Sequence, residues 1–251
     1  MQNAPFSYDK KRDVLKDVTM NFPERGMTAI VGESGCGKST VVNLLIGARR
    51  PDKGNVLIGG EEIESVSRTA YYSRLAYVSY NPYIFNDTVR ANFEIAKKNA
   101  TDEEIFVALE KVNLSAFIKE NGGLDKVITE DANNISGGQK QRLALAVNLV
   151  ADKDIYVFDE ATSNIDVDSE AIIMKNIKEM SENKSVIVIS HRLANVVPAD
   201  NIYFMQDGQV REVGSHVELM EQKGEYAQLF NAQKQLEEGY KSGKASAEVS
   251  V

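Results

Sequence analysis

Apolar residues return along this chain with two different periods. Short runs rich in β-branched and aromatic residues at 14–22, 27–31, 56–58, 74–78, 155–158, 186–189 and 202–205 read as strands. At 39–48 and 168–180 the apolar positions return every three to four residues instead, which predicts amphipathic helices. From 81 to 151 the helical period takes over: Thr101 followed by Glu104 is a capping-box start, with Ile105, Leu109 and Val112 on one face behind it. Strand and helix alternating in this way predict an α/β fold with a mostly parallel sheet covered on both faces. The expected layout is a core of residues 1–80 and 152–235, opening with an antiparallel β region and interrupted by an inserted α-helical subdomain at 81–151. The last stretch, 236–251, is rich in small and charged residues, has little apolar surface to bury, and is expected to lack fixed structure.

Composition narrows the classes. With 251 residues and 43% hydrophobic content, the chain has material for one substantial core and little room for two unrelated domains. The formal net charge of -8 speaks against a nucleic-acid partner, because holding a polyanion depends on clustered Lys and Arg. Cys36 is the only cysteine, so no internal disulfide can form, which suits a reducing compartment. No apolar run approaches the roughly 20 residues of a membrane-crossing helix, and the N-terminus lacks the apolar stretch of a secretory signal. Residues 1–4 run almost directly into a strand-like segment; they are expected to be a foreign leader, and the abrupt opening predicts a domain taken from a longer protein.

Three elements carry chemistry. Gly32-Glu33-Ser34-Gly35-Cys36-Gly37-Lys38-Ser39 has the spacing of a phosphate-binding loop and lies between an apolar strand and a helix. Glycines there let backbone N–H groups and the helix N-terminus face an anion, while Lys38 adds positive charge and Ser39 a hydroxyl suited to Mg²⁺. Ile155-Tyr156-Val157-Phe158-Asp159-Glu160 is an apolar strand ending in two carboxylates. Alone, these are two solvated acids; beside a phosphate loop, Asp159 suits the Mg²⁺ shell and Glu160 can orient or deprotonate a water attacking a γ-phosphate. Finally, Asn134-Ile135-Ser136-Gly137-Gly138-Gln139 opens a helix that continues to 150, with Ser136 placed as its cap. The Ser-Gly-Gly run reads either as an ordinary N-cap or as a second anion site built on the same helix dipole.

In this order and spacing the three elements resemble an ABC ATPase of the exporter type, over about residues 6–235. The resemblance implies a P-loop NTPase core that binds ATP with Mg²⁺ through Gly32, Ser34, Gly35, Cys36, Gly37, Lys38, Ser39 and Thr40, with Ser39 and Asp159 on the metal. It makes Glu160 and His191 the catalytic pair, His191 standing in Ser190-His191-Arg192 where the family has its switch histidine. Tyr8 stands where the family stacks a ring on adenine, although it could equally be a core aromatic; Asp166, in the D-loop position Ser163-Asn164-Ile165-Asp166, could equally cap the next helix. His216, the other histidine, is expected to be structural. Ser136, Gly137, Gly138 and Gln139 are implied to face ATP held by a second nucleotide-binding domain, packed head to tail. Phe85-Asn86-Asp87-Thr88-Val89-Arg90-Ala91-Asn92, Thr129-Glu130-Asp131 and the stretch 199–229 resemble exporters in particular. That likeness implies a transmembrane partner domain, a place at the cytoplasmic face of a membrane, and a solute moved outward at the expense of ATP.

One position departs from the family pattern. The Q-loop glutamine is replaced by Tyr80 in Val78-Ser79-Tyr80-Asn81-Pro82, and a phenol lacks the amide's carbonyl geometry. Slow hydrolysis, as in the weaker half of an asymmetric pair, is therefore one alternative, and a soluble ABC ATPase serving DNA repair or translation is another. Lys38, Asp159, Glu160, His191 and Ser136 to Gln139 are all intact, which predicts measurable Mg²⁺-dependent hydrolysis.

Overall fold

The computed structural model describes residues 1–248. In chain order these form β1 (Ala4–Phe6), β2 (Leu15–Val18), β3 (Gly26–Gly32), α1 (Lys38–Leu45), β4 (Leu57–Ile58), β5 (Glu61–Glu62), α2 (Arg68–Arg74) and β6 (Leu75–Val78). The helices α3 (Val89–Ala96), α4 (Asp102–Lys111), α5 (Ser115–Glu120) and α6 (Gly137–Val150) follow. The chain then forms β7 (Ile155–Asp159), α7 (Val167–Ser181), β8 (Ser185–Ile189), β9 (Asn201–Gln206), β10 (Gln209–Gly214), α8 (His216–Gln222) and α9 (Glu225–Glu248).

The central sheet has the order β10-β9-β3-β8-β7-β6. Its strands pair in parallel except for the antiparallel edge pair β9 and β10. Successive residues of a strand point to opposite faces, and here both faces are covered, so the strands read as unbroken apolar runs. Ala29, Val31, Tyr156, Phe158, Val186 and Val188 belong to the core shared with the helices of 89–150 and α7. Ile30, Val157, Ile187 and Ile189 belong to a second core, on the side of α1 and of the small antiparallel pair β1 and β2.

A parallel sheet gathers the carboxyl ends of its strands along one edge. Asp159 of β7 lies level with Ile189 of β8, and Ile189 with Ile30 of β3. The loops after β3, β7 and β8 therefore emerge side by side, at the edge where open α/β sheets bind ligands. Thr101 and Glu104 form the expected reciprocal cap of α4.

Both ends of the chain take part in the described structure. Residues 1–4, expected to be a foreign leader, are ordered against the body. The terminal ammonium donates to the Met20 carbonyl at 2.9 Å, Gln2 bridges to Asn55, and Ala4 is fully buried in β1. At the other end, α9 continues to Glu248 through most of the stretch whose composition predicted no order; residues 249–251 of that stretch lie outside the described residues.

Candidate active site

The loop after β3 is shaped by its glycines. Gly32 has φ 144°, and a Cβ there would sit 2.1 Å from the Met205 carbonyl oxygen; Gly37 has φ 108°, and a Cβ there would meet Leu15 at 2.7 Å. At Gly32 the Met205 backbone passes too close for a side chain, and at Gly37 the positive φ is one that L-residues rarely adopt. Gly37 also caps α1 without offering a side-chain acceptor, and the first turn of α1 carries no acidic residue. Thr40 N donates to the Gly37 carbonyl at 3.0 Å, while the N–H groups of Lys38 and Ser39 and the positive end of the helix dipole are left for an outside anion.

Lys38 completes this cradle. Its ammonium is 5% exposed and donates to the carbonyl oxygens of Gly32 and Glu33, both at 2.8 Å, with Cys36 Sγ at 3.7 Å. Among the described residues no carboxylate forms an ion pair with it. A buried cation satisfied only by neutral acceptors favours an anion as its missing partner. Ser34, Gly35 and Ser39 are exposed around it, while Cys36 and Thr40 are buried. Tyr8 Oη lies 3.3 Å from Thr40 Oγ1, and its ring packs edge-on against Phe6 at 4.8 Å, leaving the ring largely exposed beside the loop.

The acids at the end of β7 face this cradle's strand across β8. Glu160 has φ 52°, a left-handed conformation that costs a non-glycine residue on the order of 1–3 kcal/mol. Its N–H donates to the Ile189 carbonyl at 3.0 Å, so the strained turn is held by the neighbouring strand. His191 Nε2 lies 2.6 Å from Glu160 Oε1. Asp159 is held above the usual carboxylate range, first by burial and further by the Glu160 charge, against the lowering influence of the Tyr77 hydroxyl, Lys38 and His191.

Tyr77 is a residue that motif spacing does not disclose. Its hydroxyl donates to Asp159 Oδ2 at 3.2 Å, and burial, followed by the Asp159 charge, pushes the phenol up to about 12. It therefore stays protonated and donating at neutral pH. It sits on β6, level with Val157 on β7, and only that pairing brings it to the acid.

The helix start at Ser136 is arranged differently. Ser136 Oγ accepts from Gln139 N at 3.2 Å, and Gln139 Oε1 accepts from Ser136 N at 2.8 Å. A Cβ on Gly138 would lie 2.9 Å from the Asn164 carbonyl oxygen, so this start is packed against the loop after β7. No hydrogen bond or ion pair among the described residues joins 136–139 to 32–40. Asp166 caps α7, accepting from Ser169 N at 2.9 Å, and this bond keeps its carboxyl below the usual range. Tyr80 is exposed in the loop after β6, and its hydroxyl has no hydrogen-bond partner among the described residues. The loop itself is held by buried Gln141 of α6, which donates to the Ser79 carbonyl at 3.2 Å. His216 Nδ1 pairs with the buried Tyr226 hydroxyl at 2.8 Å.

A comparison with known families places this arrangement. The sequence profile described as ABC transporter matches residues 15–163. The chain belongs to the ABC transporter family. As an ABC domain it binds ATP and is of the ATP-hydrolysing class. It is 44% identical over 238 residues to an ABC transporter ATP-binding protein of Haemophilus influenzae, covering 95% of this chain and 42% of that protein. It is 37% identical over 235 residues to the ATP-dependent lipid A-core flippase of Photorhabdus laumondii, covering 92% of this chain and 40% of the flippase. The solved structure of a bacterial Atm1-family ABC exporter with ATP bound superposes with a TM-score of 0.88 at 33% identity, over 92% of this chain and 41% of that one. The ABC chain described here thus spans about two fifths of the length of the relatives it matches.

Proposed function

We propose that this ABC domain powers an exporter, closing on ATP as a head-to-tail pair with a second nucleotide-binding domain and opening when the γ-phosphate is hydrolysed. The observation that carries the reading is the Glu160–His191 contact of 2.6 Å, at the same sheet edge as the unpaired ammonium of Lys38. Lys38 and the first N–H groups of α1 grip the phosphates. Tyr8 stacks on the adenine. Glu160 takes the proton of the attacking water, and His191 hydrogen-bonds the γ-phosphate and keeps Glu160 aimed.

The donor set fits Mg²⁺. Asp159 is a half-buried carboxylate whose ionised form is disfavoured without a cation, and Ser39 is exposed in the first turn of α1. Among the described residues no cluster of three or more His, Cys, Asp or Glu side chains could cage a metal by itself. One carboxylate plus one hydroxyl, completed by nucleotide phosphates and water, is the usual holding for Mg²⁺. Bound there, Mg²⁺ would supply screening of the charge that develops on the phosphates.

The exposed start of α6 supports a partner domain, with Ser136, Gly137, Gly138 and Gln139 meeting the γ-phosphate held by the other copy, and Asp166 lying beside them. Tyr83, Phe85 and Ile95 are exposed around a cleft of about 140 Å³, an apolar surface suited to a transmembrane partner at the cytoplasmic face of a membrane. Among the described residues no helix is long and apolar enough to cross a membrane. Tyr80 favours a second reading, a slow subunit of an unequal pair, because a phenol lacks the amide's carbonyl geometry.

Phosphate release with and without Mg²⁺ tests the assignment. Glu160→Gln is expected to lower kcat by about 10²–10⁴-fold with ATP affinity retained. Turnover unchanged in that variant removes Glu160 from the chemistry, and turnover independent of Mg²⁺ removes Ser39 and Asp159 as its holders.

A further inference from the structure

The C-terminal helix α9 is fastened to the body before it reaches the active site. The Glu212 carboxylate accepts from the N–H groups of Glu225 at 2.6 Å and Tyr226 at 3.3 Å, which supplies the cap that the start of α9 needs. Tyr226 is fully buried and bonded to His216, and Phe230 packs on the main core. With its first two turns fixed, α9 carries Gln233 to a defined place.

That place is the backbone leaving the switch histidine, from its own carbonyl to the N–H of Leu193. Gln233 Nε2 donates to the His191 carbonyl at 2.7 Å, and Gln233 Oε1 accepts from Leu193 N at 3.0 Å. Leu193 opens the short 3-10 turn Leu193–Val196, whose capping residue, Arg192, forms no side-chain cap bond. One amide thus satisfies both an orphan donor and an orphan acceptor, using the fixed spacing of its two polar atoms. One turn further along α9, Glu237 lies 3.6 Å from Arg192, which also pairs with buried Glu170. Ser190 Oγ accepts from Arg192 N at 3.0 Å, tying the loop back to its own strand. The His191 side chain, by contrast, is 44% exposed and makes one contact within ion-pair distance among the described residues, with Glu160. Its aim is set by where its backbone is held.

We infer that Gln233 is a positioning residue for ATP hydrolysis: through its bidentate hold on the His191–Leu193 backbone, α9 sets the imidazole at the distance from Glu160 that the reaction uses. This deepens the proposed function and rests on it for the catalytic consequence, but the hold on His191 can be tested without turnover. The competing account is that Gln233 merely pins α9 to the body. Pinning predicts an altered melting temperature with the imidazole undisturbed.

The 251-residue chain has two histidines, so each imidazole gives its own NMR signals. In Gln233→Ala at fixed pH the His191 imidazole resonances should shift, the Leu193 amide should lose hydrogen-exchange protection, and the His216 signals should stay in place. The same variant should lower kcat about tenfold with KM for ATP unchanged, as expected for a displaced catalytic group. Alanine is the better helix former, so melting of α9 is not the cause. Gln233→Glu keeps the acceptor for Leu193 but sets a carboxylate against the His191 carbonyl, and should be at least as impaired. Gln235→Ala, on the exposed side of α9, should leave every readout at the wild-type value. His191 signals that superimpose on wild type in Gln233→Ala overturn the inference, and so does an equal shift in Gln235→Ala. An inactive wild-type chain whose His191 signals do respond to Gln233→Ala would instead sink the proposed hydrolysis and leave the clamp standing.

Discussion

Helices α1 and α6 both begin beside glycines, and both point a helix dipole at the surface, yet they are finished in opposite ways. At α1 the cap is Gly37, with no side chain to answer the first N–H groups, and the Lys38 ammonium is drawn into the loop by two carbonyl oxygens. At α6 the cap is Ser136, which trades hydrogen bonds with Gln139 in a closed capping box. The first start demands an anion; the second has already answered part of its own demand. On the proposed reading, a site of the first kind binds a triphosphate alone. A site of the second kind gains from a ligand only when the gain exceeds the cost of opening its box, which makes it suited to a ligand already held by another domain.

The largest test of this contrast is Lys38→Ala, which removes the only buried charge of the α1 cradle. A loss of about 10²–10³-fold in kcat/KM is expected, the usual cost of deleting one charge-stabilising donor. The corresponding loss for Ser136→Ala in ATP uptake by the single chain should be absent, and isothermal titration of both variants makes the comparison. Equal losses in binding would show that the two starts are not different in kind.

Ser136→Ala should show itself in stability instead. Removing the cap of α6 is expected to cost about 1 kcal/mol, read from the urea midpoint. An unchanged midpoint would mean that the capping box contributes nothing and that the start of α6 is as bare as that of α1.

The smallest effect concerns the price of readiness at Asp159. Burial raises its folded-state carboxyl above the ordinary 3.8, so the folded protein favours the protonated form. Stability from this group is fully present below 3.8 and is lost as the pH rises through the raised folded value. Asp159→Asn should therefore stabilise the nucleotide-free protein at pH 7 by about 0.5 kcal/mol, a gain typical of relieving a functional site. The gain should shrink as the pH falls toward 3.8. A gain that is the same at both ends of that range would trace it to packing rather than ionisation.

Much of the site is legible from spacing because its parts are local. The phosphate loop, the Asp159-Glu160 strand end and the Ser136 cap each occupy fewer than ten consecutive residues, and each carries its geometry in residue types that the backbone demands, such as the left-handed glycines at 32 and 37. The strands β3, β6, β7, β8 and β9 and the helices α1 and α7 follow from period, and Thr101 with Glu104 caps α4 as its spacing predicts. Tyr77, Gln141 and Gln233 carry no such mark. They reach Asp159, Ser79 and His191 across 82, 62 and 42 residues of chain, through polar atoms that look like any solvated surface group in the sequence.

The ends of the chain divide in the same way. Composition speaks only of average tendency, so residues 1–4 look like a foreign leader and the stretch 236–251 looks unstructured. Met1 is instead bonded to Met20, and α9, started by Glu212, runs on through Glu248. By itself the sequence determined most strands of the central sheet, the helices α1, α4, α6 and α7, and a loop with the spacing of a phosphate grip, because those depend on neighbours within a few residues; α2, α8, α9 and β10 do not follow from the apolar period. Tertiary structure alone decided that Glu160 meets His191, that Tyr77 meets Asp159, and that the last helix holds the backbone of His191. Those pairings come from the order β6-β7-β8-β3 and from the fastening of α9, and no local pattern of residues encodes them.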